Sequence, residues 1–342
     1  MIIRMATAST QPHPSPEIVF ETLNAYQRTA ALRAAIELDL FTAIADGHAT
    51  SPRIASRIGA SEKGTRVLCD YLTVIGLLTK NGSEYGLTLD TQVFLSRNSP
   101  AYLGSMAEFL GKLEDISGAF KDLAAVVRKG GTTLPGAGTV EPDNPIWVTF
   151  AHSMAPLMAM PAELIAQIVE GQPAKVLDIA AGHGLFGIAI ARHKPGAHIV
   201  AVDWERVLEV AKENAAKAGV ADRYTVVPGS AFEVDFGGGY DLVLLTNFLH
   251  HFNAATCEGL LKKVHAALNP GGMVVTLEFI PNEDRVSPPM HATFSMTMLG
   301  STLDGDAYTF AELDAMFHHA GFERNELREL TPLPSRVVVS YK

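Results

Sequence analysis

Residues Val176 to Trp204, VLDIAAGHGLFGIAIARHKPGAHIVAVDW, bring together the residue types and spacing that bind a nucleoside. Ala180, Ala181, Gly182 and Gly184 follow an apolar run, and side chains that small let the backbone turn tightly and come close to a ligand. Asp203 closes the next apolar run, where a carboxylate accepts hydrogen bonds from two ribose hydroxyls and repels a phosphate. The pattern favours an unphosphorylated ribose. Gly182, Gly184 and Gly187 also spell GxGxxG, so a nicotinamide dinucleotide competes for the same turn. Asp178 ahead of the turn gives D-x-(small)-x-G-x-G, the arrangement associated with S-adenosylmethionine, and the weight falls on that methyl donor.

Such a turn has to sit at the end of a sheet strand, and the second half of the chain supplies the sheet. Apolar runs AKVLDIA, HIVAVDW, YTVVPG, YDLVLLTNFL and MVVTLEFI alternate with helical segments GLFGIAIARHK, ERVLEVAKENAAKAG, about 254–268 and about 309–320. Runs apolar enough to be buried on both faces, separated by helices, predict an α/β fold with a doubly wound, Rossmann-like sheet and helices on both sides. The last two segments, near 323–330 and 336–341, have no helix between them and read as a hairpin closing the sheet edge, a second point against a dinucleotide fold.

The first half is mainly helical. Leu32, Ile36, Leu40 and Ile44 recur every four positions along one helix face, ended by Gly47. A helix from Ser51, a turn at Gly59, a second helix from Ser61 and a hairpin turned at Asn81-Gly82 resemble a winged helix. Such modules often read DNA, which keeps a ligand-responsive regulator in view. Residues 1–96, however, carry eight Lys/Arg against nine Asp/Glu, a net of −1, so a structural or dimerising role is favoured. The whole chain, with 27 Lys+Arg against 37 Asp+Glu, likewise lacks the basic field that nucleic acid rewards.

The loop RKGGTTLPGAGTVEPDNP predicts a boundary, with a winged-helix module over 17–144, the α/β domain over 145–342 and a disordered lead-in over 1–16. No apolar run is long enough to span a bilayer, and Cys69 and Cys257 are too few and too far apart for a disulfide framework or zinc motif, which predicts a cytoplasmic, metal-free protein. Just past the boundary, Trp147, Phe150, Met154, Leu157, Met158 and Met160 crowd together, as core between domains or as the wall of an apolar pocket.

With these motifs in order, nearly the whole chain resembles the S-adenosylmethionine-dependent O-methyltransferases of the caffeic acid and acetylserotonin type, which join an N-terminal winged-helix dimerisation domain to a C-terminal Rossmann-like methyltransferase domain. The resemblance implies that Gly182 and its neighbours pass beside the methionine part of S-adenosyl-L-methionine and that Asp203 holds the ribose. It places Gly229-Ser230-Ala231-Phe232 on the adenine side, with Ser230 where the family has an acid and with Phe232 and Trp204 as apolar cover. Thr246 takes another cofactor-side position. In LLTNFLHHFNAATC, His250 matches the family's catalytic base, while His251 and Phe252 stand where the family commonly has Asp and Trp. Of two acids that bracket the base in the family, Glu278 matches the first, whereas Ala307 falls at the second, with Asp304 and Asp306 nearby.

The expected activity is O-methylation of a small aromatic or apolar hydroxylated metabolite, with His250 as general base and Glu278 beside it. Methylation at sulfur, carbon or nitrogen by positioning alone is the second reading, and the DNA-binding regulator is a third of another class. Trp147, Phe150, Met154, Met158, Asn247 and Met298 are the pocket candidates, with His152 and His291 as further polar possibilities. The resemblance and the apolar N-terminal helices together imply a homodimer.

Overall fold

A computed structural model describes residues 14–106, 109 and 120–342, so most of the expected lead-in lies outside the described residues. The chain divides into two compact units at residues 108 and 109, earlier than the boundary at 144/145 read from loop composition. The Gly/Pro-rich loop is part of the second unit because its backbone is bonded there. Thr132 N–H donates to Thr302 O at 2.8 Å, and the Thr139 hydroxyl donates to Ser301 O at 3.1 Å.

The first unit contains helices α1 (Glu17–Leu23), α2 (Tyr26–Glu37), α3 (Leu40–Ala45), α4 (Ser51–Ile58) and α5 (Glu62–Val74). The hairpin of β1 (Leu78–Asn81) and β2 (Glu84–Leu87) follows, and then α6 (Leu89–Phe94). The face expected from Leu32 to Ile44 is not one helix. Asp39 takes a left-handed conformation (φ 56°) between α2 and α3, and an aspartate tolerates this better than most residues. The break lets Leu40, Phe41, Thr42, Ala43 and Ile44 all become buried, which a single amphipathic stripe does not allow. The hairpin residues between the strands are Gly82-Ser83, one step beyond the expected pair, since Asn81 still pairs with Glu84. Gly59 ends α4 in a left-handed conformation and Ser61 caps α5 by accepting Gly64 N–H, as the sequence reading requires. No residue of α1 is buried.

The second unit begins with α7 (Leu123–Lys129) and the long α8 (Ile146–Ile168). The alternating part runs β3 (Lys175–Ile179), α9 (Leu185–His193), β4 (His198–Asp203), α10 (Glu205–Lys217), β5 (Tyr224–Pro228), β6 (Tyr240–Thr246), α11 (Ala254–Ala267) and β7 (Leu268–Glu278). It ends with α12 (Pro289–Ala292), α13 (Phe294–Ser301), α14 (Phe310–His319), β8 (Arg324–Glu329) and β9 (Arg336–Tyr341). The strands form a seven-stranded sheet in the order β5-β4-β3-β6-β7-β9-β8. Strands β3 to β7 are parallel, and the β8–β9 hairpin closes one edge antiparallel, as expected.

Alternate residues of each strand feed two separate cores. Val176, Leu242, Leu244, Val275 and Val339 pack with Ile165 of α8 and Ile190 of α9 on one face. Leu177, Val243, Leu245, Val274 and Val338 pack with Leu261 of α11 and Phe317 of α14 on the other. The strand order reverses between β3 and β6. In open α/β sheets the crevice beyond the carboxyl ends of the strands at such a reversal is where ligands bind.

Leu244 lies at the centre of β6 with 0% exposure. Leu244→Ala leaves a cavity in the core that β6 shares with α8 and α9, and we expect a loss of about 2–5 kcal/mol in urea unfolding followed by circular dichroism. A loss below ~1 kcal/mol would contradict the packing described.

Candidate active site

Polar side chains stand at the carboxyl ends of β3, β4, β6 and β7, and backbone geometry explains how they are held. After β3 the chain turns through Ala180 (φ 54°) and Gly182 (φ 57°) and enters α9 at Gly184 (φ 75°), all left-handed. A Cβ at Gly184 would come within 2.7 Å of the Tyr224 hydroxyl and 2.9 Å of the Ala211 Cβ, so only glycine lets this helix start close against its neighbours. Asp178 sits beneath the turn with 0% exposure and accepts Gly187 N–H at 3.0 Å. Its visible work is to hold the start of α9. Burial pushes its carboxyl up to about 7 despite that bond, with the charge of Asp203 adding to the rise.

Asp203 ends β4 and grips the same turn from the other side. One oxygen accepts Gly182 N–H at 2.8 Å and the other accepts Trp204 N–H at 2.7 Å. Each carboxylate oxygen has capacity for a further donor, so both can also receive a diol. Burial raises this carboxyl to about 6, and the two N–H groups hold it back. Gly229 N–H donates to the Asp203 carbonyl at 2.8 Å, which brings the segment after β5 alongside. There the Ser230 hydroxyl accepts Phe232 N–H at 3.3 Å, and Ala231 is buried in the sheet core. Phe232 packs edge-on to Phe252 at 4.8 Å, whereas Trp204 belongs to a different cluster with Ala151, Val207 and Val210. Thr246 is buried at the end of β6.

Beyond β6, Asn247 is left-handed (φ 53°) and leads into a short 3-10 turn, Leu249–His251. Glu278, the last residue of β7, accepts Phe248 N–H at 2.9 Å and Leu249 N–H at 2.8 Å through one oxygen. Its other oxygen lies 2.5 Å from His250 Nδ1, which a carboxylate partner requires to carry the proton. Both side chains are buried. The arrangement leaves Nε2 of His250 as the basic atom and fixes the ring that carries it.

Helix α8 crosses above this turn. Trp147 meets the His251 ring edge-on at 5.4 Å and Phe150 at 5.4 Å, and the Asn247 amide lies 3.8 Å from Met158 Sδ. Trp147, Phe150, Met154 and Met158 are half-buried. Met298 is buried within α13, and His152 is exposed. His291 is structural, since its Nδ1 accepts Ile280 N–H at 2.8 Å and its Nε2 lies 2.7 Å from Pro334 O. Asp304 bonds Asn253, and Asp306 bonds Ala307 N–H and faces Arg285, so neither reaches His250.

Several site residues escaped the sequence reading. Phe294 packs edge-on to His250 at 4.9 Å and stacks on Phe279 at 3.8 Å. Phe248 joins Phe232 and Phe252 in an aromatic cluster, while Lys263 binds the carbonyls of Ala231, Phe232 and Val234. His183, inside the glycine turn, is buried, and burial lowers it to about 4, so its ring is neutral. Only the aromatic run Phe248–Phe252 left a trace in the sequence.

The sequence profile of an O-methyltransferase domain matches residues 120–323, and that of an O-methyltransferase dimerisation domain matches residues 20–97. The chain belongs to this O-methyltransferase family. A curated member, 3-hydroxy-5-methyl-1-naphthoate 3-O-methyltransferase of Streptomyces sahachiroi, is 27% identical over 96% of this chain and 95% of its own. A crystal structure of a provisionally assigned O-methyltransferase from Nostoc punctiforme shares 54% identity and a TM-score of 0.95 over 96% of this chain and 100% of that one. Human N-acetylserotonin methyltransferase, solved with S-adenosylmethionine, has the same fold at 22% identity, with a TM-score of 0.83 over 98% and 99% of the two chains. The enzyme is thus a methyltransferase dependent on S-adenosyl-L-methionine, and its crevice fits that group. A Cβ on Gly182 would meet nothing nearer than Ala180 O at 3.8 Å, so the space over the turn is open, and Asp203 offers the diol acceptor.

Because protonation removes an accepting lone pair from Asp203, affinity for S-adenosylhomocysteine should fall as pH drops through about 6. Calorimetry should find binding about tenfold weaker at pH 5 than at pH 7. The same titration of Asp203→Asn should be flatter and weaker throughout; an unchanged pH dependence would remove Asp203 from the binding site.

Proposed function

We propose that this enzyme O-methylates a small aromatic metabolite carrying a hydroxyl group, with His250 as the general base. The observation that carries the reading is the buried His250–Glu278 pair at the end of β6, beside the turn that Asp203 holds. When bound, S-adenosyl-L-methionine supplies a methyl group on a positively charged sulfur, ready for displacement by a nucleophile. What the chain must add is orientation, exclusion of water and a place for the acceptor's proton.

Each of these falls to particular residues. A phenol with a pKa of ~10 is a poor nucleophile near neutral pH, and a neutral imidazole is a suitable acceptor for its proton. His250 takes that proton at Nε2 while Nδ1–H stays bonded to Glu278, whose negative charge stabilises the imidazolium that forms. Phe294 meets the His250 ring edge-on and Phe279 stacks on Phe294, which gives the ring apolar neighbours. Trp147, Phe150, Met154 and Met158 on α8 supply a flat, apolar wall suited to an aromatic acceptor. The naphthoate substrate of the Streptomyces relative is of this class.

The acting unit is a homodimer of the cytoplasm in this reading. The dimerisation-domain match and the bare apolar surface of α1, where Ile18, Val19, Phe20 and Leu23 are each more than half exposed, support the dimer. The two free cysteines suit a reducing compartment, and no helix among the described residues is long and apolar enough to cross a membrane.

With labelled donor and a panel of phenols, carboxylates, amines and thioethers, a phenol should be methylated at oxygen. His250→Ala should lower kcat by about 10²–10⁴ while affinity for S-adenosylhomocysteine is kept. Near-normal turnover would discard His250 as the base. Light scattering at micromolar concentration should give a dimer, and Phe20→Asp combined with Leu23→Asp should shift it towards monomer; a monomeric parent enzyme would overturn the dimer.

A further inference from the structure

Lys263, on α11, spends its ammonium on a segment about thirty residues earlier in the chain. Its Nζ donates to the carbonyls of Ala231 at 3.0 Å, Phe232 at 3.3 Å and Val234 at 2.6 Å, and it lies 4.4 Å from the centre of the Phe236 ring. An ammonium has three N–H donors, and here three carbonyls of one short segment converge on them.

The backbone of that segment explains why a cation belongs there. The Ser230 carbonyl accepts both Glu233 N–H and Val234 N–H, each at 2.9 Å, so residues 230–234 form a single turn. A turn that is not continued leaves its later carbonyls without an N–H partner, as the last turn of a helix does, and their dipoles favour a positive charge. Lys263 supplies that charge. The turn is also tied to the site at two points. Gly229 N–H donates to the Asp203 carbonyl at 2.8 Å, and a Cβ on Gly229 would lie 2.6 Å from Val234 Cγ1, so the turn closes tightly on its own entry. Phe232 packs on Phe252 at 4.8 Å and on Phe248 at 6.0 Å, the two residues that flank the 3-10 turn carrying His250.

We infer that Lys263 is a positioning residue for the nucleobase of S-adenosyl-L-methionine, acting through the turn 230–234 that it holds together. The inference rests on the placement of the ribose at Asp203. With the methionine chain over the open glycine turn on one side of that carboxylate, the base is left on the other, against the segment that Gly229 ties to Asp203. Orienting the base strengthens binding equally in the ground state and the transition state, so Lys263 governs affinity for the donor and not the rate of methyl transfer.

The test is made on the full-length enzyme with Lys263→Met, which keeps an unbranched apolar stem and removes the ammonium. The dissociation constant of S-adenosylhomocysteine by calorimetry and the KM for S-adenosyl-L-methionine should each rise about tenfold, while kcat at saturating donor stays within about twofold. Lys263→Arg should recover most of the affinity. Lys263→Gln, which keeps N–H donors without the charge, should fall between parent and Met variant, and it carries the test where the Met variant does not fold. Lys262→Met removes the same charge from the exposed neighbouring residue and should bind as the parent does. A merely structural role would lower kcat with the folded fraction and leave KM and the dissociation constant alone. That result, parent-like affinity in a folded Met or Gln variant, or an equal loss in Lys262→Met overturns this inference alone. If Asp203→Asn binds S-adenosylhomocysteine as tightly as the parent, the ribose placement fails and the inference fails with it.

Discussion

The site depends on one carboxylate satisfying three donors. Glu278 takes the N–H groups of Phe248 and Leu249 on one oxygen and His250 Nδ1 on the other. The segment beyond β6 would otherwise be an irregular turn with buried, unpaired backbone groups, which is costly in a crevice shielded from water. Because the acceptor is the last residue of β7, the neighbouring strand sets the position of the turn. His250 then inherits the rigidity of two paired parallel strands, where a histidine on a free loop would not.

The same solution recurs along the sheet edge. Asp178 at the end of β3 accepts Gly187 N–H, and Asp203 at the end of β4 accepts Gly182 and Trp204 N–H. Burial alone would favour protonated carboxyls, and both aspartates are indeed raised, to about 7 and about 6. Backbone N–H groups offset only part of that penalty. Asp203 has the more donors and the lower value of the two, consistent with an ionised acceptor for a diol near neutral pH. Asp178 has one donor and a raised value, consistent with a residue that holds structure beneath the turn.

The parts of this arrangement visible in the sequence are those tied to local spacing. Asp203 could be placed because it ends an apolar run a fixed distance beyond a glycine turn, and the terminal hairpin because no helix separates its strands. Glu278 and His250 were matched through family resemblance, but the triple grip joins residues about thirty positions apart, and no local pattern reports it. Where local rules misled, a tertiary demand prevailed. The four-residue periodicity from Leu32 to Ile44 is genuine, yet burying five consecutive residues of α3 required the left-handed break at Asp39. The Gly/Pro-rich loop looked like a linker, but its hydrogen bonds to residues 301 and 302 keep it in the second unit. His291 looked like a polar pocket residue and instead bridges Ile280 and Pro334.

Helix α8 shows why the wall of the site could not be separated from the core by sequence. Its residues serve both ends at once: Ile165 and Ala166 are sealed against the sheet, whereas Trp147, Met154 and Met158, nearer its start, are only half-covered. A single apolar stripe therefore runs from fully covered to half-covered positions without a change of residue type. What distinguishes the two ends is the sheet below them. Strands β6 and β4 end at Thr246 and Asp203, and the residues just after them meet the first half of α8: His251 meets Trp147, Asn247 meets Met158, and Trp204 shares a cluster with Ala151. The apolar stripe of α8 thus serves two clusters, the sheet core that takes Ile165, Ala166 and Met158 and a smaller one of Trp147, Ala151, Val207 and Val210.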